Sequence, residues 1–134
     1  MDEQIPKTES EKQWTILIVD DDQFLLDMYA LKFTELHFKV STAPSGEDAL
    51  RVLKTEKPHV ILLDVVMPNL DGFEVLKRIK EGKLAEGSLV IMLSNLGQDT
   101  DIEHAKQLGA DGYIVKASAT PGEIVKKITA YLVK

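Results

Sequence analysis

The stretch ILIVDDDQF, residues 16–24, gives the first indication of how this 134-residue chain folds. Its first four residues are apolar and mostly β-branched, which is typical of a buried strand, and three consecutive aspartates follow at once. Gln23 and Phe24 then begin a segment in which apolar residues recur with helical spacing. A buried strand that runs directly into acidic residues and a helix is typical of a unit in which helices join parallel strands.

Four further strand-like runs follow along the chain, separated by helical segments. The predicted strands span residues 15–20, 39–43, 60–64, 89–94 and 112–116. The first, third and fourth are apolar at nearly every position, as expected for central parallel strands that are covered on both faces. The alternation predicts an α/β fold: a doubly wound, flavodoxin-like (βα)₅ arrangement with a five-stranded parallel sheet and helices on both faces.

Several predicted helices carry a residue that favours their start or their end. Asp22 is expected to cap the first helix, and Ser45 with Asp48 resembles a capping box at the second. Gly109 is expected to end the fourth helix in a left-handed conformation, and Pro121 lies in the first turn of the fifth. The last three helices are predicted at residues 71–80, 99–108 and 121–132. The expected buried face of the first helix consists of Leu25, Met28, Tyr29, Phe33 and Leu36.

The chain is expected to consist of a leader and one domain. Residues 1–13 are polar and charged, which predicts a flexible N-terminal leader, and residues 14–134 are predicted to form a single domain. No run approaches about 18 apolar residues and the leader lacks the apolar core of a signal peptide, so we expect a cytoplasmic protein without a membrane segment. A net charge of −6 argues against direct binding to nucleic acid or to anionic membranes. The absence of cysteine excludes disulfides and thiolate metal sites.

Polar residues end four of the five predicted strands. They are Asp20 and Asp21 at the first strand, Asp64 at the third, Ser94 at the fourth and Lys116 at the fifth. Alone, the serine is typical of a turn and the lysine of a solvated side chain. Because the carboxyl ends of parallel strands form the edge where such folds bind ligands, we expect these side chains to converge on a site.

Three carboxylates at one edge of the sheet favour a divalent cation between them. Neighbouring carboxylates ionise together at a cost in free energy, which a cation removes. Oxygen ligands with room for water suit Mg²⁺ or Mn²⁺ better than zinc, and a hydroxyl and an ammonium beside the ion could hold a phosphoryl group. Helix capping explains Asp22 but not both Asp20 and Asp21, so only that pair is assigned to the metal site.

Four motifs carry a resemblance to a known family. They are ILIVDD at residues 16–21, VILLDVVMPNLDGFEVL at residues 60–76, IMLS at residues 91–94 and GADGYIVK at residues 109–116. In this order and spacing they resemble the receiver domain of two-component response regulators, over residues 15–133. The resemblance implies a phosphorylation-dependent signalling switch that takes a phosphoryl group from a sensor histidine kinase or a histidine phosphotransfer protein.

The resemblance also implies a role for each polar residue at the edge of the sheet. Asp64 would be the phosphoacceptor, and Ser94 and Lys116 would bind the phosphoryl group. Tyr113 would be the switch aromatic that reports phosphorylation on the surface of the fourth helix, fifth strand and fifth helix. The Mg²⁺ ligands would be Asp20, Asp21, Asp64 and the backbone carbonyl of Val66. Because such a domain catalyses only its own phosphorylation and slow dephosphorylation, we do not expect an enzyme.

Residues beside the site modulate it or depart from the family pattern. Ala117 stands where the family has a proline, so we expect a trans bond after the preceding lysine. Asn95 stands where the family favours a small alanine, and it adds bulk and polarity at the mouth of the site. Val66 and Leu96 are apolar and cannot orient an attacking water, which predicts a long-lived aspartyl phosphate.

The expected output is a downstream protein target, bound by a monomer or by a phosphorylation-dependent dimer. Met1 and the leader favour a stand-alone regulator. Two alternatives remain open. A phosphatase of the haloacid dehalogenase type would use Asp20 and Asp22 as nucleophile and acid, although Gln23 and Phe24 replace the usual Gly-Thr. A pseudo-receiver would act purely as an interaction module, without phosphorylation.

Overall fold

The computed structural model describes residues 13–133. The predicted leader lies outside the described residues except for Gln13, so its flexibility stays a prediction. The strands are β1 (Thr15–Val19), β2 (Lys39–Ala43), β3 (Val60–Asp64), β4 (Leu89–Ser94) and β5 (Gly112–Val115). The helices are α1 (Gln23–Glu35), α2 (Gly46–Val52), α3 (Gly72–Glu81), α4 (Asp99–Gln107) and α5 (Pro121–Leu132). A 3₁₀ turn, Lys116–Ser118, lies between β5 and α5.

All five strands are parallel and lie in one sheet in the order β2–β1–β3–β4–β5. Val19 of β1 pairs with Leu63 of β3, and Asp64 pairs with Leu93 of β4. The strand order changes direction between β1 and β3, and doubly wound sheets bind ligands beyond the strand ends at this point. The predicted doubly wound (βα)₅ fold is therefore confirmed.

Two apolar layers cover the sheet because alternate residues of each strand point to opposite faces. On one face, Ile16 and Ile18 pack with residues of α1 and α5. On the other, Leu17 and Val19 pack with residues of α2, α3 and α4. The central strand β3 is buried along its whole length, which explains why its sequence is uninterrupted in apolar residues up to Asp64.

The predicted caps are present at the starts of the first two helices. The Asp22 side chain accepts a hydrogen bond from the backbone of Leu25, and the Ser45 hydroxyl accepts one from the backbone of Asp48. The second contact is not a capping box, because the Asp48 carboxylate accepts from the Ser45 hydroxyl and not from the Ser45 backbone N–H. Gly109 follows α4 at a φ of 101°, in the left-handed region, as expected.

Several boundary and burial predictions were wrong: α3 is shifted by one residue from the predicted 71–80, and α4 ends one residue before the predicted 108. β1 ends at Val19 and β5 at Val115, one residue earlier than expected in each case. Lys116 instead begins the 3₁₀ turn, which carries its backbone away from the sheet. Leu36 is 52% exposed, because it is the C-cap residue and lies beyond the last helical residue, Glu35. Leu26, which the sequence prediction did not include, is buried with Tyr29 and Phe33. Within residues 13–133, no helix is long and apolar enough to cross a bilayer.

Candidate phosphoryl and metal site

The acidic residues that follow β1 and β3 meet at one edge of the sheet. Asp20 and Asp21 continue from β1, and Asp64 is the last residue of β3. Each offers a carboxylate oxygen, and these oxygens lie within 4.8 Å of one another. Asp20 and Asp64 are buried, whereas Asp21 is exposed, so the cluster has one side open to solvent. An all-oxygen donor set of this kind fits a hard divalent cation such as Mg²⁺.

Lys116 reaches the same cluster from the end of β5. Its ammonium lies 3.0 Å from Oδ2 of Asp20 and 3.4 Å from Oδ1 of Asp64. The side chain is only 14% exposed, so both ion pairs are largely shielded from water. The bond that follows Lys116 is trans, as expected, and the described residues contain no cis peptide.

The environment of Asp64 makes its ionised form unfavourable in the absence of a cation. Burial raises the pKa of the Asp64 carboxyl to about 6, and the negative charge of Asp20 acts in the same direction. The Lys116 ammonium opposes this shift but does not cancel it. Burial alone would lower the pKa of Lys116, but the hydrogen bond to Asp20 and the charge of Asp64 outweigh it, and the pKa is raised. The site therefore holds a fixed positive charge against an excess of carboxylate.

The three consecutive aspartates have different roles. The Asp22 carboxylate accepts the Leu25 N–H at 3.2 Å, and this carboxylate does not belong to the acidic cluster. The backbone N–H of Asp22 donates to Oδ1 of Asp20 at 2.9 Å and so orients that carboxylate. This division weighs against the phosphatase alternative, because the proposed acid residue is occupied at the start of α1.

A close backbone approach holds the phosphoacceptor candidate in place. The N–H of Gly72 donates to the carbonyl of Val65 at 2.7 Å. A Cβ atom at Gly72 would lie 2.2 Å from the carbonyl oxygen of Asp64, well inside van der Waals contact. Glycine is therefore required where α3 begins, because only a residue without a side chain lets α3 begin beside the end of β3.

Ser94 and Tyr113 are connected through the loop that follows β4. The Ser94 hydroxyl, fully buried, accepts the N–H of Leu96 at 3.1 Å, and the Tyr113 hydroxyl donates to the carbonyl of Leu96. Burial raises the pKa of the Tyr113 phenol, although a hydrogen bond with Ser94 acts in the opposite direction. The two hydroxyls and the loop therefore form one connected group beside the acidic cluster.

Apolar side chains surround the mouth of the site. Val66 is 58% exposed and Leu96 39%, in agreement with their expected position at the rim, and Asn95 and Ala117 are exposed as well. Phe24 is 75% exposed in the first turn of α1, three residues after Asp21, and the sequence patterns did not assign it to the site. The signal that could have found it is an apolar residue two positions after the capping aspartate, in the turn that follows Asp20 and Asp21.

Each residue of the expected site was thus placed by the structure. Its side chains come together in three groups, which are the acidic cluster, the lysine, and the serine–tyrosine pair. Their roles stay predictions: Asp64 as phosphoacceptor, Asp20, Asp21, Asp64 and the Val66 carbonyl as metal ligands, Ser94 and Lys116 as phosphoryl-binding residues, and Tyr113 as the switch aromatic.

Comparison with protein families assigns residues 16–129 to the response regulator receiver domain. The chain is 36% identical over 117 residues to the alkaline phosphatase synthesis transcriptional regulatory protein PhoP of Bacillus subtilis, a match that covers 87% of this chain and 48% of PhoP. It is 36% identical over 102 residues to the transcriptional regulatory protein AfsQ1 of Streptomyces coelicolor, with 76% of this chain and 44% of AfsQ1 covered. The chain thus spans about half the length of the curated relatives it matches.

Solved structures share the fold over nearly the whole described chain. The chemotaxis protein CheY4 of Vibrio cholerae superposes with a TM-score of 0.82 at 26% identity, over 89% of this chain and 98% of CheY4. The BeF3-activated DrrB receiver domain has a TM-score of 0.78 at 30% identity, over 92% of this chain and all of that domain.

Proposed function

The chain belongs to the response regulator receiver domain family, and on this basis we propose that Asp64 accepts the phosphoryl group of a phosphorylation-dependent signalling switch. The observation that carries the proposal is the position of the Asp64 carboxylate. It is buried at a strand end, lies 3.4 Å from the Lys116 ammonium, and shares an open acidic cluster with two further aspartates. A nucleophile held in this way is positioned and surrounded by the charges that phosphoryl transfer requires.

The chemistry is an in-line displacement at phosphorus. A carboxylate oxygen of Asp64 forms the new P–O bond, and the bond from phosphorus to the imidazole nitrogen of a phosphohistidine breaks. Lys116 keeps its positive charge throughout and moves its contact from the carboxylate to the phosphoryl oxygens. Mg²⁺ or Mn²⁺ held by Asp20, Asp21, Asp64 and the carbonyl of Val66 would offset the negative charge of the carboxylates and the phosphoryl group.

The proposed output passes through Ser94 and Tyr113. The Ser94 oxygen accepts the Leu96 N–H, and its own hydrogen can turn to a phosphoryl oxygen. That turn would pull on the loop between β4 and α4, to which Tyr113 is also bonded. The equilibrium of the surface formed by α4, β5 and α5 would then shift, because the phosphorylated site favours one arrangement of this loop.

The proposed partners are a phosphodonor and a downstream protein. Phe24, Val66 and Leu96 leave an exposed apolar rim around the site, which suits docking of a sensor histidine kinase or a histidine phosphotransfer protein. The net charge of −6 supports the further proposal that this domain itself contacts neither nucleic acid nor an anionic membrane. A cytoplasmic location is proposed as well, as for a chain in which we see no signal peptide pattern. Whether the switch acts as a monomer or as a phosphorylation-dependent dimer would be decided at the α4–β5–α5 surface.

The domain is proposed to turn over no external substrate, which is tested by assaying the same purified proteins for hydrolysis of a phosphomonoester. A second measurement tests the phosphoacceptor. Purified protein is incubated with acetyl phosphate and Mg²⁺, and the aspartyl phosphate is measured by intact-mass spectrometry. We expect the wild type and the control Asp22→Ala to gain one phosphoryl group, and Asp64→Asn to gain none.

Three outcomes would contradict the proposal. Failure of the wild type to gain phosphate with Mg²⁺ present would establish the pseudo-receiver alternative. Equal incorporation into Asp64→Asn would place the phosphoacceptor elsewhere. Continuous hydrolysis of a phosphomonoester by Asp64→Asn would favour the phosphatase alternative.

A further inference from the structure

Of the five helices, α4 has the smallest buried face. Among its residues, Asp99–Gln107, only Ala105 is buried, whereas α3, which is one residue longer, has four buried residues and α5 has three. Ile102, the large apolar residue of α4, is 36% exposed. Because packing of an apolar face provides most of the stability of a helix in a folded protein, α4 is held to the domain more weakly than the other helices.

An aromatic contact joins α4 to the start of α3. The imidazole ring of His104 lies against the phenyl ring of Phe73, with 4.5 Å between the ring centroids and 39° between the ring planes. His104 is exposed, whereas Phe73 is half-buried and packs against the apolar layer on this face of the sheet. Aromatic rings at this separation attract one another. The contact therefore fastens the exposed side of α4 to α3.

The Phe73 side of this contact is fixed relative to the phosphoacceptor candidate. Phe73 follows Gly72, whose N–H donates to the carbonyl of Val65 at 2.7 Å. The backbone of Gly72 also lies so close to Asp64 that an added Cβ atom would be 2.2 Å from the carbonyl oxygen of Asp64. Val75, in the same turn of α3, is fully buried. The first turn of α3 therefore cannot shift without moving the end of β3.

The His104 side of the contact belongs to a helix that follows the loop after Ser94. Residues 95–98 join Ser94 to the first residue of α4, so a displacement of this short loop is passed on to the helix. In the proposed function, the Ser94 hydroxyl turns to a phosphoryl oxygen and pulls on the loop. Because α4 then moves while Phe73 stays in place, the two rings separate.

We propose that the contact between Phe73 and His104 is an autoinhibitory clamp, which holds α4 in the arrangement of the unphosphorylated protein and opens when the site is phosphorylated. The clamp regulates the site of Asp64 and rests on the function proposed for it. A contact made in only one of two arrangements lowers the population of the other, and it thereby weakens the binding of any ligand that selects the other arrangement. Loss of the contact should therefore strengthen such binding.

The test removes the exposed ring and measures the binding of a phosphoryl mimic. Beryllofluoride is tetrahedral and binds a carboxylate oxygen as a transferred phosphoryl group does. It is titrated into the purified protein with saturating Mg²⁺, and its Kd is measured by NMR. We expect the Kd to fall about two- to tenfold in His104→Ala, which is the range expected for loss of one aromatic pair.

Two controls separate the ring contact from other effects of the substitution. Thr100→Ala changes another exposed residue of α4, and because threonine and histidine have similar helix propensities, it tests propensity alone. Its Kd should match that of the wild type. Phe73→Leu removes the other ring, so in that background His104→Ala should leave the Kd unchanged.

A second measurement needs no ligand. Urea unfolding in EDTA of the wild type, the two single variants at Phe73 and His104 and the double variant forms a double-mutant cycle. We expect His104→Ala to increase the unfolding equilibrium constant about two- to tenfold more in the wild-type background than in the Phe73→Leu background. An additive cycle would show that the rings do not stabilise the fold together and would overturn the proposal.

The combined outcomes separate failure of the clamp from failure of the proposed function. A non-additive cycle with an unchanged Kd in His104→Ala would mean that the contact persists in both arrangements, and it would overturn the clamp alone. An equal fall of the Kd in Thr100→Ala would attribute the effect to helix propensity, with the same consequence. A wild type that binds no beryllofluoride would refute the proposed function, and the regulatory role of the clamp with it.

Discussion

The surroundings of Asp64 disfavour the charged form of its carboxyl group. Its carboxylate is buried, and a second buried carboxylate, Asp20, lies in the same cluster. One lysine is shared between the two, at distances of 3.0 Å and 3.4 Å. The folded protein therefore binds a proton at Asp64 more tightly than the unfolded chain does, which links the stability of the fold to pH.

The pKa of Asp64 predicts how stability depends on pH without metal. The pKa is about 6 in the folded protein against 3.8 for an ordinary aspartate, so between these values the folded state holds more protons. Stability contributed by this group is therefore present at pH 4 and is lost as pH rises to 6, by up to about 3 kcal/mol. In EDTA we expect Asp64→Asn to be more stable than the wild type at pH 7.5.

Urea unfolding of the two proteins at a series of pH values checks this prediction. The difference in the free energy of unfolding between Asp64→Asn and the wild type cancels the contributions of other titrating groups. It should shrink as pH falls from 7.5 to 4. A difference that is constant with pH, or one of opposite sign, would show that Asp64 titrates normally.

The side chain of Val66 is expected to affect the lifetime of the phosphorylated state. Its side chain is 58% exposed at the mouth of the site and has no polar atom that could orient a water molecule. We expect Val66→Asn to speed hydrolysis of the aspartyl phosphate about two- to tenfold, the effect of one added hydrogen bond to the attacking water. The measurement is the decay of labelled phosphoprotein after the donor is removed.

The control for this prediction is Val66→Ala, which opens the mouth without adding a polar group. If the alanine variant loses its phosphoryl group as fast as the asparagine variant, hydrolysis is limited by the access of water to the site and not by the orientation of the attacking water. Stability should change little in either variant, because the position is exposed.

At the scale of elements, the starts of the helices locate the functional residues. α1 begins one residue after Asp22, and this capping residue holds Asp20 through its backbone N–H. α3 begins at Gly72 beside the end of β3, and the Gly72 N–H donates to the carbonyl of Val65, the residue after Asp64. The turns that form the site are therefore stabilised by the same bonds that start the helices.

Gly72 provides a prediction at this scale. In Gly72→Ala the new Cβ would meet the carbonyl oxygen of Asp64, a backbone atom that cannot move without displacing the end of β3. We expect a loss of about 2 to 3 kcal/mol in the free energy of unfolding, together with slower phosphorylation. Thermal unfolding and acetyl phosphate kinetics measure the two effects.

Gly122 is the matched control, because it lies in the first turn of α5 and a Cβ atom added there would have no other atom within 4 Å. Gly122→Ala should be neutral or stabilising by up to about 1 kcal/mol, since alanine favours a helix. Equal losses in the two variants would mean that the close approach at Gly72 is not what requires glycine.

For the whole molecule, the acidic site should couple Mg²⁺ to stability. The cluster joins β1 and β3, which are central strands, so a cation that binds there binds only the folded chain. We expect Mg²⁺ at 100 times its Kd to raise the free energy of unfolding by about 2.7 kcal/mol. Differential scanning calorimetry with and without Mg²⁺ measures this gain.

Two variants decide which aspartates produce the gain. Asp20→Asn should lose most of it. Asp22→Ala should be less stable by about 1 kcal/mol, because α1 loses its cap, yet should keep the full increment. If the Mg²⁺-dependent gain in stability disappeared in Asp22→Ala, the assignment of the metal site to Asp20 and Asp21 would be wrong.

The amino-acid sequence was enough to predict the strand–helix alternation, the parallel sheet and the edge at which the polar residues gather. These features are local or follow from general rules: apolar runs form buried strands, aspartate and serine cap helices, and parallel strands place their carboxyl ends together. Even the separation of Asp22 from its two neighbours followed from capping chemistry. The motifs of the family added the expected role of each residue.

Packing between different elements determined the burial and the side-chain contacts of the site residues, which no single segment of the chain determines. The burial of Asp64, the sharing of Lys116 between two carboxylates, and the link from Ser94 to Tyr113 each require strands that are distant in sequence to meet. The predicted ends of β1 and β5 and the predicted burial of Leu36 were wrong. For Leu36 the reason is that hydrophobicity is a property of a residue, whereas burial depends on what packs against it.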